Sequence, residues 1–239
     1  MIDLSAFKNP ALHFSGGKDS LACLYLLKDQ LDQLTVYWCN TGDTCPETKA
    51  VVDEVRQWIP NFVEINADVH QWKAVNGDPV DLVPARSHFL GVAYGMSNVR
   101  LSNRFDCCFA NLMLPMHQRM LADGVDCVIR GTKLCDTGTV PAEGPVEHYT
   151  VLLPIKDWTH ADVFAYLKEV GAPTNAIYDH FTAVSAPECL NCTAWWDDNK
   201  AEYLRNRHPE TYNSYKSKLR IILSVVDTHL ADIRHELGE

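Results

Sequence analysis

The sequence predicts an α/β protein: a doubly wound, mostly parallel five-stranded sheet with a helical C-terminal extension. Three observations carry this. Short β-rich runs alternate with apolar patterns of helical period through the first 170 residues. The first run, residues 11–14, passes through Ser15-Gly16-Gly17 directly into a helical pattern. Beyond Lys200, Leu219, Ile222, Val226, Leu230 and Ile233 recur every three to four residues.

The elements follow in order. Residues 19–30 form the first helix, with Leu21, Leu24 and Leu27 on one face. Residues 34–38 are a second strand, ending in the turn cluster Cys39-Asn40-Thr41-Gly42-Asp43. Pro46-Glu47-Thr48 opens a helix by an early proline and a first-turn acid. Its stripe of Val51, Val52, Val55 and Ile59 runs to Pro60, and residues 62–65 are a third strand. Residues 68–103, punctuated by Gly77, Pro79, Pro84, Gly91 and Gly95, are expected as a loop-rich insertion. A helix over 112–121, a fourth strand over 127–130 and an exposed loop over 137–145 come next. A fifth strand follows at 149–153. Thr159, with Asp162 three residues on, caps another helix. Residues 173–195 are irregular, and the rest is helical. With no repeat or linker, residues 1–239 read as one domain, with a core over about 8–195 and an extension over about 196–239.

Composition narrows the function. The chain has 239 residues, 46% hydrophobic and 22% charged, with a net charge of −10, so nonspecific binding to nucleic acid is disfavoured. No apolar run reaches the roughly 20 residues that span a bilayer. Met1-Ile2-Asp3-Leu4-Ser5 lacks the basic start of a secretion signal, so a cytoplasmic protein without membrane contact is expected. Nine cysteines, an odd count, argue against a disulfide framework; Cys23, Cys39 and Cys127 sit in apolar runs as core residues.

The chemistry gathers at predicted strand ends. In Ser15-Gly16-Gly17-Lys18-Asp19-Ser20 the glycines let backbone approach an anion, and the first-turn amides of the new helix face it. Lys18 adds charge and Ser20 a hydroxyl. Thr41 or the Gly42 backbone can meet a ribose or adenine, and Gly131-Thr132-Lys133 brings a second cation. Asp19 or Asp43 suits Mg²⁺, with a plain turn role as the alternative for Asp43. Cys107-Cys108 and Cys189-Leu190-Asn191-Cys192 supply four thiolates. Adjacent cysteines fit a [4Fe–4S] cluster better than zinc, which stands second, with no metal third.

These motifs resemble the PP-loop adenine nucleotide α-hydrolase superfamily and, within it, the adenylyl-sulfate and phosphoadenylyl-sulfate (APS/PAPS) reductase-like family. Residues 15–20 look like its phosphate loop. Asn40-Thr41-Gly42 with Pro46-Glu47-Thr48 resembles its Asp-Thr-Gly…Pro-Glu-Thr segment, and Cys107-Cys108 with Asn111-Leu112 and Pro115 its Cys-Cys segment. Gly131-Thr132-Lys133 falls at its Gly-Leu-Arg; residues 154–167 and Cys189-x-x-Cys192-Thr193 match two further segments. The resemblance implies an adenine nucleotide α-hydrolase-like fold, a [4Fe–4S] cluster on the four cysteines, and Lys18, Asp19 and Lys133 as catalytic residues.

Two departures shape the expected reaction. The chain ends Arg234-His235-Glu236-Leu237-Gly238-Glu239, without the reductases' tail cysteine, for which Cys45 or Cys135 is a substitute. The phosphate loop is also intact, where many reductases have a degraded one. Both favour ATP over adenylyl sulfate. The expectation is adenylylation of a substrate with Mg²⁺ and pyrophosphate release, for sulfur transfer. Reduction of APS or PAPS, and a non-catalytic nucleotide-binding module, are the alternatives. The acceptor, a small molecule or a nucleic acid, is open; a sulfur or electron donor protein and a homodimer fit.

Overall fold

The fold is given by a computed structural model that describes residues 2–181, 186–194, 196 and 199–239. Residues 182–185 and 195, part of the stretch expected to be irregular, lie outside the described residues.

In chain order the strands are β1 (Pro10–His13), β2 (Thr35–Asn40), β3 (Phe62–Asn66), β4 (Asp78–Val80), β5 (Leu101–Asn103), β6 (Cys127–Ile129), β7 (Gly144–Pro145) and β8 (Thr150–Leu152). The first helices are α1 (Lys18–Leu26), α2 (Pro46–Arg56), α3 (Val69–Asn76), α4 (Phe89–Ala93) and α5 (Arg104–Cys108). A π-helical turn, Phe109–Met113, separates α5 from α6 (Leu114–Ala122). Then come α7 (Leu134–Thr137), α8 (His160–Glu169), α9 (Lys200–Arg207) and α10 (Pro209–Leu237). The chain divides into two compact units: residues 1–40, 44–67 and 114–179, and residues 41–43, 68–113 and 180–239. The second unit thus takes in both the 68–113 segment and the C-terminal helices, so the units do not divide near residue 196.

The first unit holds a six-stranded sheet in the order β3-β2-β1-β6-β8-β7. Every neighbouring pair is parallel except β7 with β8. The sequence reading is one strand short. Gly144–Pro145 has no β-rich alternation to announce it, and pairing with Val151 and Thr150 alone makes it a strand. Strand order reverses between β1 and β6, which pair as Pro10↔Cys127 through Leu12↔Ile129. Both strands therefore deliver their following residues to one sheet edge. Ala11, Leu12, Cys127, Val128 and Ile129 are fully buried, as expected for strands covered on both faces.

Leu21, Leu24 and Leu27 from the α1 stretch join Val51, Val52 and Val55 of α2 and Val163 of α8 in the core. Each such side chain contributes roughly 1.5–3 kcal/mol on burial. The α8 start is the capping box read from Thr159 and Asp162, whose side chains bond each other's backbone amides. Cys23, Cys39 and Cys127 are core residues, and Cys45 is fully buried as well.

The second unit pairs β4 with β5 in parallel. Val80 and Leu101 pack with Ile222 of α10, flanked by Leu219 and Val226. The apolar stripe is therefore core at its start, while Ile233 is exposed. The segment expected as a loop-rich insertion carries α3, β4, α4 and β5. Asp68 caps α3 by accepting from the Gln71 amide, a signal that the neighbouring glycine and proline masked. None of the described helices is long and apolar enough to cross a membrane.

Candidate functional site

The Ser15–Ser20 turn, expected as a phosphate loop, lies in the first unit, where β1 hands over to α1. Gly16 has φ of +77°, and a Cβ there would stand 2.8 Å from Thr48 Cγ2 and Val52 Cγ2. The turn thus excludes any side chain. Buried Asn175 donates to Gly16 O at 3.2 Å and to Thr48 Oγ1 at 3.1 Å, fastening the loop to α2. Ser15 and Ser20 hydroxyls meet at 3.2 Å, and Ser20 Oγ also accepts from the Ser15 amide at 3.1 Å.

α1 has no side-chain cap at Gly17. Neutral hydroxyls take its entering amides: Gly17 N donates to Ser15 Oγ at 3.2 Å and Lys18 N to Tyr178 OH at 3.1 Å. These donors sit at the positive end of the helix dipole, where an anion is a stronger acceptor than a hydroxyl.

Two buried lysines converge on Asp19. Lys18 Nζ lies 2.7 Å from Asp19 Oδ2 and Lys133 Nζ 2.6 Å from Oδ1. Lys133, fully buried, also pairs with Asp136 at 3.0 Å. Burial works against the Lys133 ammonium, but Asp19 and Asp136 outweigh it and hold its pKa above the ordinary lysine value. Gly131 has a packing role: a Cβ there would stand 2.6 Å from the Asp19 carbonyl carbon. The strand order explains the meeting, since residues after β1 and β6 emerge side by side at the switch point.

Asp19 does not fit the expected Mg²⁺ role in this arrangement, because a Mg²⁺ ion on it would face two ammoniums at once, Lys18 on Oδ2 and Lys133 on Oδ1. Asp43 does not fit either. It is buried, and it accepts from Lys73 at 3.2 Å, the Asn191 amide at 3.1 Å and Asn191 Nδ2 at 2.7 Å. Its role is to hold the Cys189–Cys192 turn.

Thr41 and Gly42 fall in the second unit, and Thr41 Oγ1 meets Cys189 Sγ at 3.3 Å. Cys107, Cys108, Cys189 and Cys192 line one cavity of that unit, with Thr41, Lys73 and Asn111. Burial pushes the Cys107 thiol up to about 12 and raises Cys108 and Cys189 too, so thiolates there call for a cation. Asn111 donates to Cys107 O at 2.9 Å. Two buried lysines flank the second pair. Lys73 donates to Asn191 O at 3.3 Å, and Lys200 to Cys189 O at 3.2 Å and Cys192 O at 2.6 Å. Burial opposes the Lys73 charge, but Asp43 and Cys189 outweigh it and raise its pKa.

Sequence reasoning missed Asp136, Asn175, Tyr178, Lys73 and Lys200. Only the Lys133–Asp136 spacing, i to i+3 at a short helix start, carried any local signal.

The chain is thus an α/β protein with a doubly wound sheet and a glycine turn from β1 into α1. Residues 9–82 match the phosphoadenosine phosphosulfate reductase domain family. The phosphoadenylyl-sulfate (PAPS) reductase from Candida auris, solved as a phosphate complex, shares the fold, with a TM-score of 0.54. It is 16% identical over 74% of this chain and 80% of its own. The family match thus covers the stretch from β1 into the segment after β4, and the shared fold extends beyond it. No curated protein matches it.

Proposed function

We propose that the chain binds an adenine nucleotide, ATP in preference, on Ser15-Gly16-Gly17-Lys18-Asp19-Ser20 and adenylylates an acceptor for sulfur transfer. The observation that carries this reading is the loop: an excluded side chain at Gly16, neutral hydroxyls on the Gly17 and Lys18 amides, and two buried ammoniums on one carboxylate. A polyphosphate displaces the hydroxyls and shares the lysines with Asp19. An acceptor oxygen attacks the α-phosphorus, and the bond to the bridging oxygen breaks with its electron pair leaving on pyrophosphate. Lys18 and the loop amides stabilise that charge. Lys133 holds a second anionic group, and a sulfur donor later displaces AMP. The acceptor is a small molecule or a nucleic acid.

The family match favours a second reading, reduction of adenylyl sulfate or phosphoadenylyl sulfate. On that reading Lys18 and Lys133 hold the phosphate and sulfate ends of the substrate, and an external dithiol supplies the electrons.

In either case Cys107, Cys108, Cys189 and Cys192 would hold a [4Fe–4S] cluster. Tetrahedral zinc at about 2.3 Å from each sulfur needs sulfurs about 3.8 Å apart. The four cysteines line one cavity, and the adjacent pair Cys107-Cys108 suits the larger group better than a single small ion. Lys73 and Lys200 would offset its negative charge. Bound by four cysteines, the cluster would supply structural and electrostatic support.

The test is incubation of anaerobically purified protein with ATP and Mg²⁺ across candidate acceptors, and with both sulfonucleotides and a dithiol. Pyrophosphate release supports the first reading and sulfite release the second. Tight nucleotide binding without turnover makes the chain a binding module, and no binding of any of the three overturns the proposal.

A further inference from the structure

One group of side chains in the first unit is used by neither reading. Cys135 and Asp136 lie in α7, and His160 is the first residue of α8. His160 Nε2 stands 3.7 Å from Cys135 Sγ and 3.6 Å from Asp136 Oδ1. The three donor atoms all lie within 4.8 Å of one another. We propose that Cys135, Asp136 and His160 form a zinc-class metal site with one open coordination position.

The two spacings from His160 are close to a tetrahedron's edges. A zinc ion about 2.3 Å from sulfur and about 2.0–2.1 Å from nitrogen and oxygen sets its ligand atoms roughly 3.4–3.6 Å apart. The two distances from His160 Nε2, 3.7 and 3.6 Å, therefore already suit a shared metal. One thiolate, one imidazole and one carboxylate select zinc or a similar borderline ion over Mg²⁺. Three protein ligands leave the fourth position for water or an anionic oxygen.

The ring is already turned for this role. His160 Nδ1 is buried with no hydrogen-bond partner, so Nε2 is the nitrogen a metal can reach. Cys135 and Asp136 are exposed, which opens the site to solvent. Lys133 contacts Asp136 Oδ1 at 3.0 Å, but a carboxylate oxygen has two lone pairs and can accept from Lys133 while it ligates. Lys133's charge is shared with Asp19 at 2.6 Å. The metal thus sits one ion pair from the phosphate loop, where its open position takes an oxygen of a bound anion.

The test reads Cys135 alone, whatever the other cysteines bind and whether or not a nucleotide is present. Iodoacetamide labelling of each cysteine is followed by peptide mass spectrometry, with and without Zn²⁺, in the full-length wild type, His160→Ala and His160→Gln. Zinc is expected to slow labelling of Cys135 by about tenfold or more in the wild type and to give no protection in the His160 variants. Cobalt(II) is expected to give a thiolate charge-transfer band that is reduced by Cys135→Ser, a change at an exposed position that leaves the fold intact. Labelling unaffected by zinc, protection that survives in a folded His160 variant, or cobalt spectra identical in wild type and Cys135→Ser would overturn the site.

Discussion

Lys133 Nζ stands 2.6 Å from Asp19 Oδ1, joining a residue that follows β6 to the first turn of α1, 114 positions earlier. The contact closes the sheet edge at the strand-order reversal and brings two ammoniums onto one carboxylate. On the proposed function, an entering anion competes with Asp19 for both.

Asp19→Asn therefore leaves Lys18 and Lys133 short of negative charge. Stability should fall by about 1–3 kcal/mol. Inorganic phosphate should raise the melting temperature of the variant more than that of the wild type, since a bound anion replaces the lost carboxylate. Equal phosphate shifts in thermal melts of the two proteins would show that the lysines do not face an anion site.

Gly16→Ala meets both a φ of +77° and side-chain atoms at 2.8 Å. The left-handed conformation alone costs about 1–2 kcal/mol in a residue with a Cβ, and the contacts with Thr48 and Val52 add to it. Nucleotide affinity by calorimetry should drop at least about tenfold, a difference of about 1.4 kcal/mol. Gly95→Ala serves as control, because φ there is also positive, at +74°, with nothing within 4 Å.

Lys200→Met removes the donor from two carbonyls of the Cys189–Cys192 turn. The loss of charged hydrogen bonds should cost about 1.5–3 kcal/mol. Hydrogen exchange in the peptide covering residues 188–194 should quicken and, on the proposed cluster assignment, iron retained after anaerobic purification should fall. Unchanged exchange and iron content would remove Lys200 from the account of that turn.

His13 supplies a pH dependence. Burial first, then Arg130 and His117, depress its folded pKa to about 3 from the ordinary 6.5. Below pH 6.5 the unfolded chain binds a proton that the folded one refuses. Its contribution is thus complete above that pH and is lost as pH falls toward 3, by up to about 1.4 kcal/mol per unit. Urea unfolding at several pH values between about 4 and 7 should show this slope, flattened in His13→Gln.

Much of the site was legible because it is local. The glycine turn at Ser15–Ser20, the α8 capping box and the Cys-x-x-Cys pair each depend on residues within a few positions of one another, and chain geometry brings them together. What was not legible depends on partners far along the chain. Asn175 fastens Gly16 from 159 positions away, and Tyr178 meets Lys18 N from 160. Lys73 and Lys200 carry no sequence signal of their own, yet both are buried beside the Cys189–Cys192 turn. Nothing in a lysine's neighbours in sequence announces that its ammonium will be desolvated against a distant carbonyl.

Residue order alone settled that strands alternate with helices, that a glycine turn opens α1, and that four cysteines lie in two close pairs. Periodicity and turn chemistry act over one or two turns of chain, so they survive without a fold. Strand order did not follow from them. The reversal between β1 and β6, the pairing of Gly144–Pro145 and the approach of Cys135 and Asp136 to His160 all depend on which segments share a sheet edge. That choice belongs to long-range burial, which weighs the whole chain at once. It also gave Gly131 a packing role, as the gap that admits the first turn of α1.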